Sequence, residues 1–340
     1  MNQARWQELS AGYGKLRVAV VGDFCLDRYL EIDPQREETS IETGLAVHNV
    51  VNVRSQPGAA GTILNNLVAL GIGEIFAVGF CGEDGEGYEL RRSLAARASV
   101  KLDYFVVSEL RRTFTYCKPL VLRPAQAPQE LNRLDSKNWS PTPVSLQEQL
   151  IASVRSLAGK VDAIILMDQV DLPETGVVTS AFLSAIGELA RKFPQRLVMA
   201  DSRRSLRGYP PVCLKMNAAE LSTMTETPPS LGLDELRKLA AELARAQQHP
   251  VFVTLSERGM IGAAPDGATT HQNPLPLRGE IDIVGAGDAV TANLTAALAA
   301  GASLAEAVMA ANVAASLVIH QLGTTGTATR EQIARLLTVC

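Results

Sequence analysis

Short apolar runs alternate with amphipathic stretches along most of this chain. Residues 17–22 (RVAVVG), 75–80, 163–167, 196–200, 212–216, 251–254 and 260–264 are brief, apolar and rich in β-branched side chains, so they are predicted to be buried strands. Between them, residues 58–70, 84–97, 143–158, 174–191 and 233–246, and two Ala-rich runs from about 287 and 303, carry helical spacing. Strands alternating with helices predict a mainly parallel central sheet flanked by helices on both faces. Two regions break the rhythm. Residues 45–53 (LAVHNVVNV), and residues 104–107 with 112–122, read as strands with no helix between them. They are expected to form a small β-sheet lid from two discontinuous segments, about 30–55 and 103–122. Residues 1–15 read as a short helix or arm, and the polar stretches 31–43 and 123–142 read as loops. The DFCLDRY segment follows the first strand, at the sheet edge where α/β folds place ligands.

At 340 residues the chain suits a single α/β domain, 1–340, with an appendage. Hydrophobic residues make up 46% and aromatics 5%, so the core is expected to be aliphatic. The net charge of −4 argues against a general nucleic-acid or membrane-surface binder. The cysteines Cys25, Cys81, Cys117, Cys213 and Cys340 are scattered without a C-x-x-C pair, which fits reduced thiols rather than a disulfide frame or zinc site. The first residues lack the apolar core of a signal peptide, and no apolar run approaches a membrane span. A soluble, cytoplasmic protein is expected.

The segment Asp282-Ile283-Val284-Gly285-Ala286-Gly287-Asp288 leads directly into an Ala-rich helical run. Small residues at a helix start let backbone N–H groups converge, and the helix end adds partial positive charge. That is a place to hold a phosphate or an oxyanion. Asp288 falls in the first helical turn beside it. Such a carboxylate is either a general base for an attacking hydroxyl or an ordinary residue of a helix start.

Five motifs in order extend this picture: VVGDFCLDRY; PGAAGTILNNLVALG with VGFCGEDGEG; KMNAAE; VTLSERG; and DIVGAGD. Together they resemble the ribokinase-like (PfkB-type) sugar kinases over nearly the whole chain. VVGDFCLDRY and QLGTTG are similar to one branch, the kinase half of the heptose-phosphate kinase/ADP-heptose synthase proteins. No nucleotidyltransferase half is expected, since the sequence stops at Cys340. The resemblance implies a ribokinase-like fold, ATP and Mg²⁺, K⁺ as a further ion, and a homodimer joined through the lid. It implies a small-molecule sugar or sugar phosphate as substrate, with heptose 7-phosphate the first candidate.

The resemblance also implies roles for residues. Asp288 is the catalytic base, and Gly285, Ala286 and Gly287 form the anion hole. Asp27 binds sugar hydroxyls, with Gly58, Ala59, Thr62 and Asn66 around the sugar. The family pattern is Gly-Gly-x-x-Asn, and this chain departs from it with Ala59 and Thr62. Asn65 and Asn66 lie one turn further on. Asn217 and Glu220 match N-x-x-E and organise Mg²⁺ through water, although their spacing also fits a helix N-cap with Glu at the third position. Ser256, Gly259 and Asn312 lie on the nucleotide side. Asp282 is linked to the monovalent cation, and Val284 replaces the usual Thr. Arg28, the arginines at 111–112 and those at 203–204 are offered as contacts for a remote phosphate; Arg203, Arg204 and Arg207 otherwise read as a solvated basic cluster.

The reading is an ATP-dependent kinase of a sugar or sugar phosphate. One alternative is a kinase for another alcohol: fructose or its phosphate, ribose, or a nucleoside. Another is a sugar- or nucleotide-binding regulator without turnover. A Rossmann dehydrogenase is disfavoured, because no G-x-G-x-x-G follows the first strand.

Overall fold

A computed structural model describes residues 1–338, so Cys340 lies outside the described residues. The main sheet runs in the order Thr269–Gln272, Met260–Ala263, Val251–Thr254, Cys213–Asn217, Leu197–Ser202, Ala163–Asp168, Arg17–Gly22, Glu74–Gly82, Val100–Lys101. Its strands are parallel except at the 260–263 and 269–272 end, which is antiparallel. The central strands RVAVVG and AIILMD are apolar on both faces because helices cover both faces. Helix Ala286–Ala299 packs against helices Ala60–Ala69 and Leu304–Val318, and helix Val144–Leu157 packs against Ser180–Lys192. Helix Leu233–Gln247 shows the amphipathic logic: Leu236, Ala240, Ala241 and Ala244 are buried while its charged residues face out.

Parallel register brings strand C-terminal ends to one edge. Strands 17–22, 163–168, 197–202 and 213–217 therefore deliver Asp23, Gln169, Arg203 and Asn217 to the same side of the molecule. Gly22 makes the exit from the first strand possible. Its φ is +154°, and a Cβ there would overlap the Met167 carbonyl.

A second sheet of four strands runs in the order Gln129–Glu130, Phe114–Val121, Phe24–Ile32, Val50–Ala59. It puts Asp27 opposite both Gln56 and Tyr116. The small sheet thus exists, but its expected segments need correction. It begins at Phe24 rather than near 30, because the chain leaves the main sheet directly at Asp23. Phe105–Ser108 does not join it. This strand pairs in parallel with Glu74–Gly82 of the main sheet, and Phe105 packs edge-on against Phe24 with centroids 5.2 Å apart. A four-residue apolar run does not reveal which sheet will take it. The helix expected from 174 starts at Ser180, where the Thr179 side chain accepts from the Phe182 N–H. Strand Thr269–Gln272 and helices Ala218–Thr225 and Arg330–Leu337 escaped the periodicity reading; the strand is half-buried at every position and so lacks alternation.

Cys25, Cys81, Cys117 and Cys213 are free and buried. Among the described residues no helix is long and apolar enough to cross a membrane.

Candidate active site

Gly285 is the N-cap of helix Ala286–Ala299 and takes φ +81° and ψ −4°, a left-handed conformation that glycine adopts without strain. Asp288 follows in the first turn, half-buried. Ala286 was expected to contribute an anion-hole amide, but its N–H donates to the Ile283 carbonyl at 3.2 Å. The N–H groups of the first helical turn that remain are those of Gly287 and Asp288. A cavity of about 450 Å³ opens here, lined by Gly285, Asp288, Asp27, Ala59 and Thr62 among others. The structure therefore brings residues from three of the five sequence motifs to one cleft.

The electrostatics of the cleft centre on Asp288. Its pKa is pushed up to about 7, first by burial and then by the nearby Asp201 carboxylate, with Lys215 opposing. Lys215 is buried on the 213–217 strand, with its Nζ 2.9 Å from Asp201 Oδ2. Thr291 Oγ1 donates to the same oxygen at 2.7 Å. Burial works against the lysine's charge, yet Asp201 outweighs it and the pKa stays raised. A Cβ on Gly287 would lie 3.1 Å from Lys215 Nζ, so this ammonium sits directly against the helix start. Sequence reasoning passed over Lys215, although KMNAAE places it two residues before Asn217 on the same strand.

Asp27 is buried, and burial raises its carboxyl pKa against the pull of Lys118 and Arg133. A Cβ on Gly58 would come within 2.6 Å of Asp27 Oδ2, so glycine is what admits the carboxylate there. Ala59 has φ +54°, costly for a residue with a Cβ, and forms part of the cavity wall. Thr62 also lines the cavity, but Asn66 does not. Asn66 is fully buried, and its Nδ2 donates to the carbonyls of Thr62 at 3.0 Å and Gly326 at 3.4 Å. It therefore ties helix to loop and does not stand in for the missing family amide.

Basic groups missed by the sequence reading line the same cavity: Lys118, Arg133 and Lys137. Arg133 Cζ lies 4.9 Å from the Tyr116 ring centroid, Lys137 Nζ 5.8 Å from it, and Lys118 Nζ 5.1 Å from that of Tyr29. Arg133 pairs with Asp135 at 2.8 Å and Lys137 with Asp171 at 2.7 Å. One signal was available, since Tyr116 and Lys118 are two apart on a strand and share a face. Of the arginines offered for a phosphate, Arg203 lines the cavity. The others are occupied elsewhere or exposed. Arg28 pairs with Glu86 and Glu89, Arg111 is buried and donates to the carbonyls of Ser140, Pro141 and Thr175, and Arg112 is exposed. Arg204 pairs with buried Asp168, and Arg207 with Glu226.

On the other side of the helix start, Asn217 and Glu220 form a reciprocal capping box at 2.9 and 2.7 Å. Burial raises the Glu220 pKa. Strand pairing sets Asn217 opposite Thr254, two residues before Ser256. A Cβ on Gly259 would overlap the Gln272 carbonyl, and Asn312 Nδ2 donates to the next carbonyl, Asn273, at 2.7 Å. These three positions thus border one region. Asp282 accepts the N–H groups of Val284 at 3.0 Å and Gly323 at 3.2 Å, which holds the loop before the helix. Asp23 accepts the N–H groups of Val177 at 2.7 Å and Gln169 at 2.9 Å, so it fixes the turn beyond the first strand.

The profile of the pfkB family carbohydrate kinases matches residues 15–330. The chain belongs to that family. Among curated relatives, the bifunctional protein HldE of Rhodospirillum rubrum is 31% identical over 319 residues, covering 93% of this chain and 61% of the relative. HldE of Azorhizobium caulinodans is 30% identical over 309 residues, covering 90% of this chain and 61% of the relative. The chain spans about three fifths of the length of these relatives. Among solved structures, the phosphofructokinase-2 of Escherichia coli in complex with fructose-6-phosphate aligns with TM-score 0.68 at 18% identity, over 95% of this chain and 99% of that one. The ribokinase of Arabidopsis thaliana complexed with ribose and ATP aligns with TM-score 0.66 at 19% identity, over 95% and 98%. As a member of the pfkB family the chain is a carbohydrate kinase with a ribokinase-like fold.

Proposed function

We propose that this kinase transfers the γ-phosphoryl group of ATP to a hydroxyl of a phosphorylated sugar, with heptose 7-phosphate the first candidate. The observation that carries the reading is one cleft holding Asp288, Asp27 and the cations Lys118, Arg133, Lys137 and Arg203. Asp288 takes the hydroxyl proton; the hydroxyl oxygen forms the new bond to phosphorus as the bond to ADP breaks. The amides at the helix start and Lys215 stabilise charge on the group in transfer. Asp27 accepts hydrogen bonds from sugar hydroxyls, and the cations around Tyr116 hold the remote phosphate, so binding energy away from the reacting centre orients the attacking oxygen.

Glu220 fits a role at Mg²⁺. One carboxylate oxygen accepts the Asn217 N–H, and the second is left for a metal-bound water. Bound Mg²⁺ supplies neutralisation of phosphate charge. The small sheet acts as a lid over the sugar and pairs with that of a second copy. Its edge strand Val50–Ala59 carries exposed Val50, Val51 and Val53, and an apolar edge favours covering.

The test is an ADP-release panel with purified chain and Mg·ATP, comparing free sugars with their terminal phosphates. The phosphorylated member of each matched pair is expected to have the higher kcat/KM. Higher kcat/KM for the free sugars across the panel would reject the phosphate anchor and favour a ribokinase- or fructokinase-type specificity.

A further inference from the structure

We infer that Gln56 is a positioning residue that clasps the small sheet to the loop beneath the anion hole, so that the sugar side and the phosphoryl side of the cleft are held in register. The inference rests on the family's kinase activity and on Asp288 and the helix start as the reacting centre.

Gln56 lies on strand Val50–Ala59, directly opposite Asp27 in the sheet register. Its side chain crosses to the other wall of the cleft. Nε2 donates to Thr325 Oγ1 at 2.8 Å, and Oε1 accepts from Thr324 Oγ1 at 3.1 Å. A side-chain amide suits this job because it offers a donor and an acceptor at once. Thr325 is the residue packed on the helix start: a Cβ on Gly285 would lie 3.2 Å from its Cβ. It also lines the cavity together with Asp27 and Asp288.

The loop that receives Gln56 is a junction. The Gly323 N–H donates to Asp282 Oδ2 at 3.2 Å, just before the anion hole. The Gly326 carbonyl accepts from Asn66 Nδ2 at 3.4 Å, on the helix that follows Ala59. Gln321 closes the loop from below, with Nε2 donating to the Thr327 carbonyl at 2.7 Å and Oε1 accepting the Thr327 N–H at 3.1 Å. Residues 323–326 therefore join the sugar-side strand, the sugar-side helix and the segment leading into the catalytic helix. Gln56 supplies the two bonds that come from the small sheet. Displacing the strand that carries Gln56 pulls on the residue packed against Gly285. A small misplacement at a reacting centre is enough to slow in-line transfer markedly.

The test uses Gln56→Ala and, approached from the other wall, the shape-preserving double variant Thr324→Val/Thr325→Val. Two readouts are needed. The first is hydrogen exchange of the segment 282–288 with Mg²⁺ and a non-hydrolysable ATP analogue, which needs no sugar. The second is steady-state turnover with the best phosphorylated sugar of the panel. Exchange at 282–288 is expected to quicken in both variants while the affinity for the analogue stays within about twofold. The kcat is expected to fall about tenfold, the scale of one or two neutral hydrogen bonds, with the KM for ATP little changed. Wild-type exchange and kcat in either folded variant overturn the clasp. Equal loss of analogue affinity and kcat in the double variant also overturns it, because that pattern marks a structural defect. If no phosphorylated sugar is turned over, the substrate assignment fails while the exchange readout still decides the clasp.

Discussion

A carboxylate whose pKa is pushed up to about 7 is poised to accept a proton near neutral pH, and Asp288 has that property because burial and Asp201 oppose its ionisation. The base must be ionised to act. The kcat/KM is therefore expected to rise as pH increases through about 7 and to level off above it, in assays that hold Mg·ATP saturating. The same shift has a sign in stability. The folded state binds this proton more tightly than the unfolded chain, so ionising Asp288 costs folding free energy. That cost is absent below the unfolded value of about 4 and complete above the folded value. Asp288→Asn is accordingly expected to raise Tm more at pH 8 than at pH 5 in paired melts, and an equal change at both pH values would contradict the raised pKa. At this scale the meeting of Asp288, Gly285 and Asp27 at one cleft was legible in the sequence, through the helix-start motif and the family resemblance. Lys118 carried only its strand spacing from Tyr116 as a signal, and Arg133 and Lys137 carried none. Arg133 and Lys137 come from a stretch without periodicity, and backbone bonds from Leu134 to Cys117 and from Ser136 to Thr115 hold that stretch along Phe114–Val121, at the cavity.

The element that best shows two roles in one geometry is the start of helix Ala218–Thr225. Asn217 and Glu220 satisfy its orphan N–H groups as a capping box, which is a structural reason for the motif. The metal role proposed for Glu220 uses the other carboxylate oxygen. Glu220→Gln separates the two, since glutamine can still close the box. Tm should change little, while the Mg²⁺ concentration for half-maximal activity should rise several-fold. Overlaying Mg²⁺ titrations would leave Glu220 as a cap only. The parallel strands at the centre of the main sheet were legible because a sheet covered on both faces leaves unbroken apolar runs, whereas half-buried Thr269–Gln272 at its edge was not. Those of the small sheet were blurred. Strand Phe24–Ile32 follows the first strand after a single residue, Asp23, with no turn signal except Gly22, whose φ of +154° is visible only in three dimensions.

At the scale of the molecule, one edge of one sheet gathers Asp288, the Lys215–Asp201 pair and the helix start at Gly285, and a second sheet brings Asp27 and a group of cations against them. The exposed valines of the small sheet's edge lead to the expectation of a homodimer at micromolar concentration by light scattering; a monomer mass there would remove the pairing of the two sheets. The central claim is that phosphoryl transfer runs through Asp288. The most direct test is single-turnover transfer from ATP to the preferred phosphorylated sugar by the wild type and Asp288→Asn, with nucleotide affinity measured alongside. Expected is a loss on the order of 10²–10⁴ in the transfer rate with nucleotide affinity nearly intact. A variant that transfers at close to the wild-type rate would contradict the assignment of Asp288 as the base.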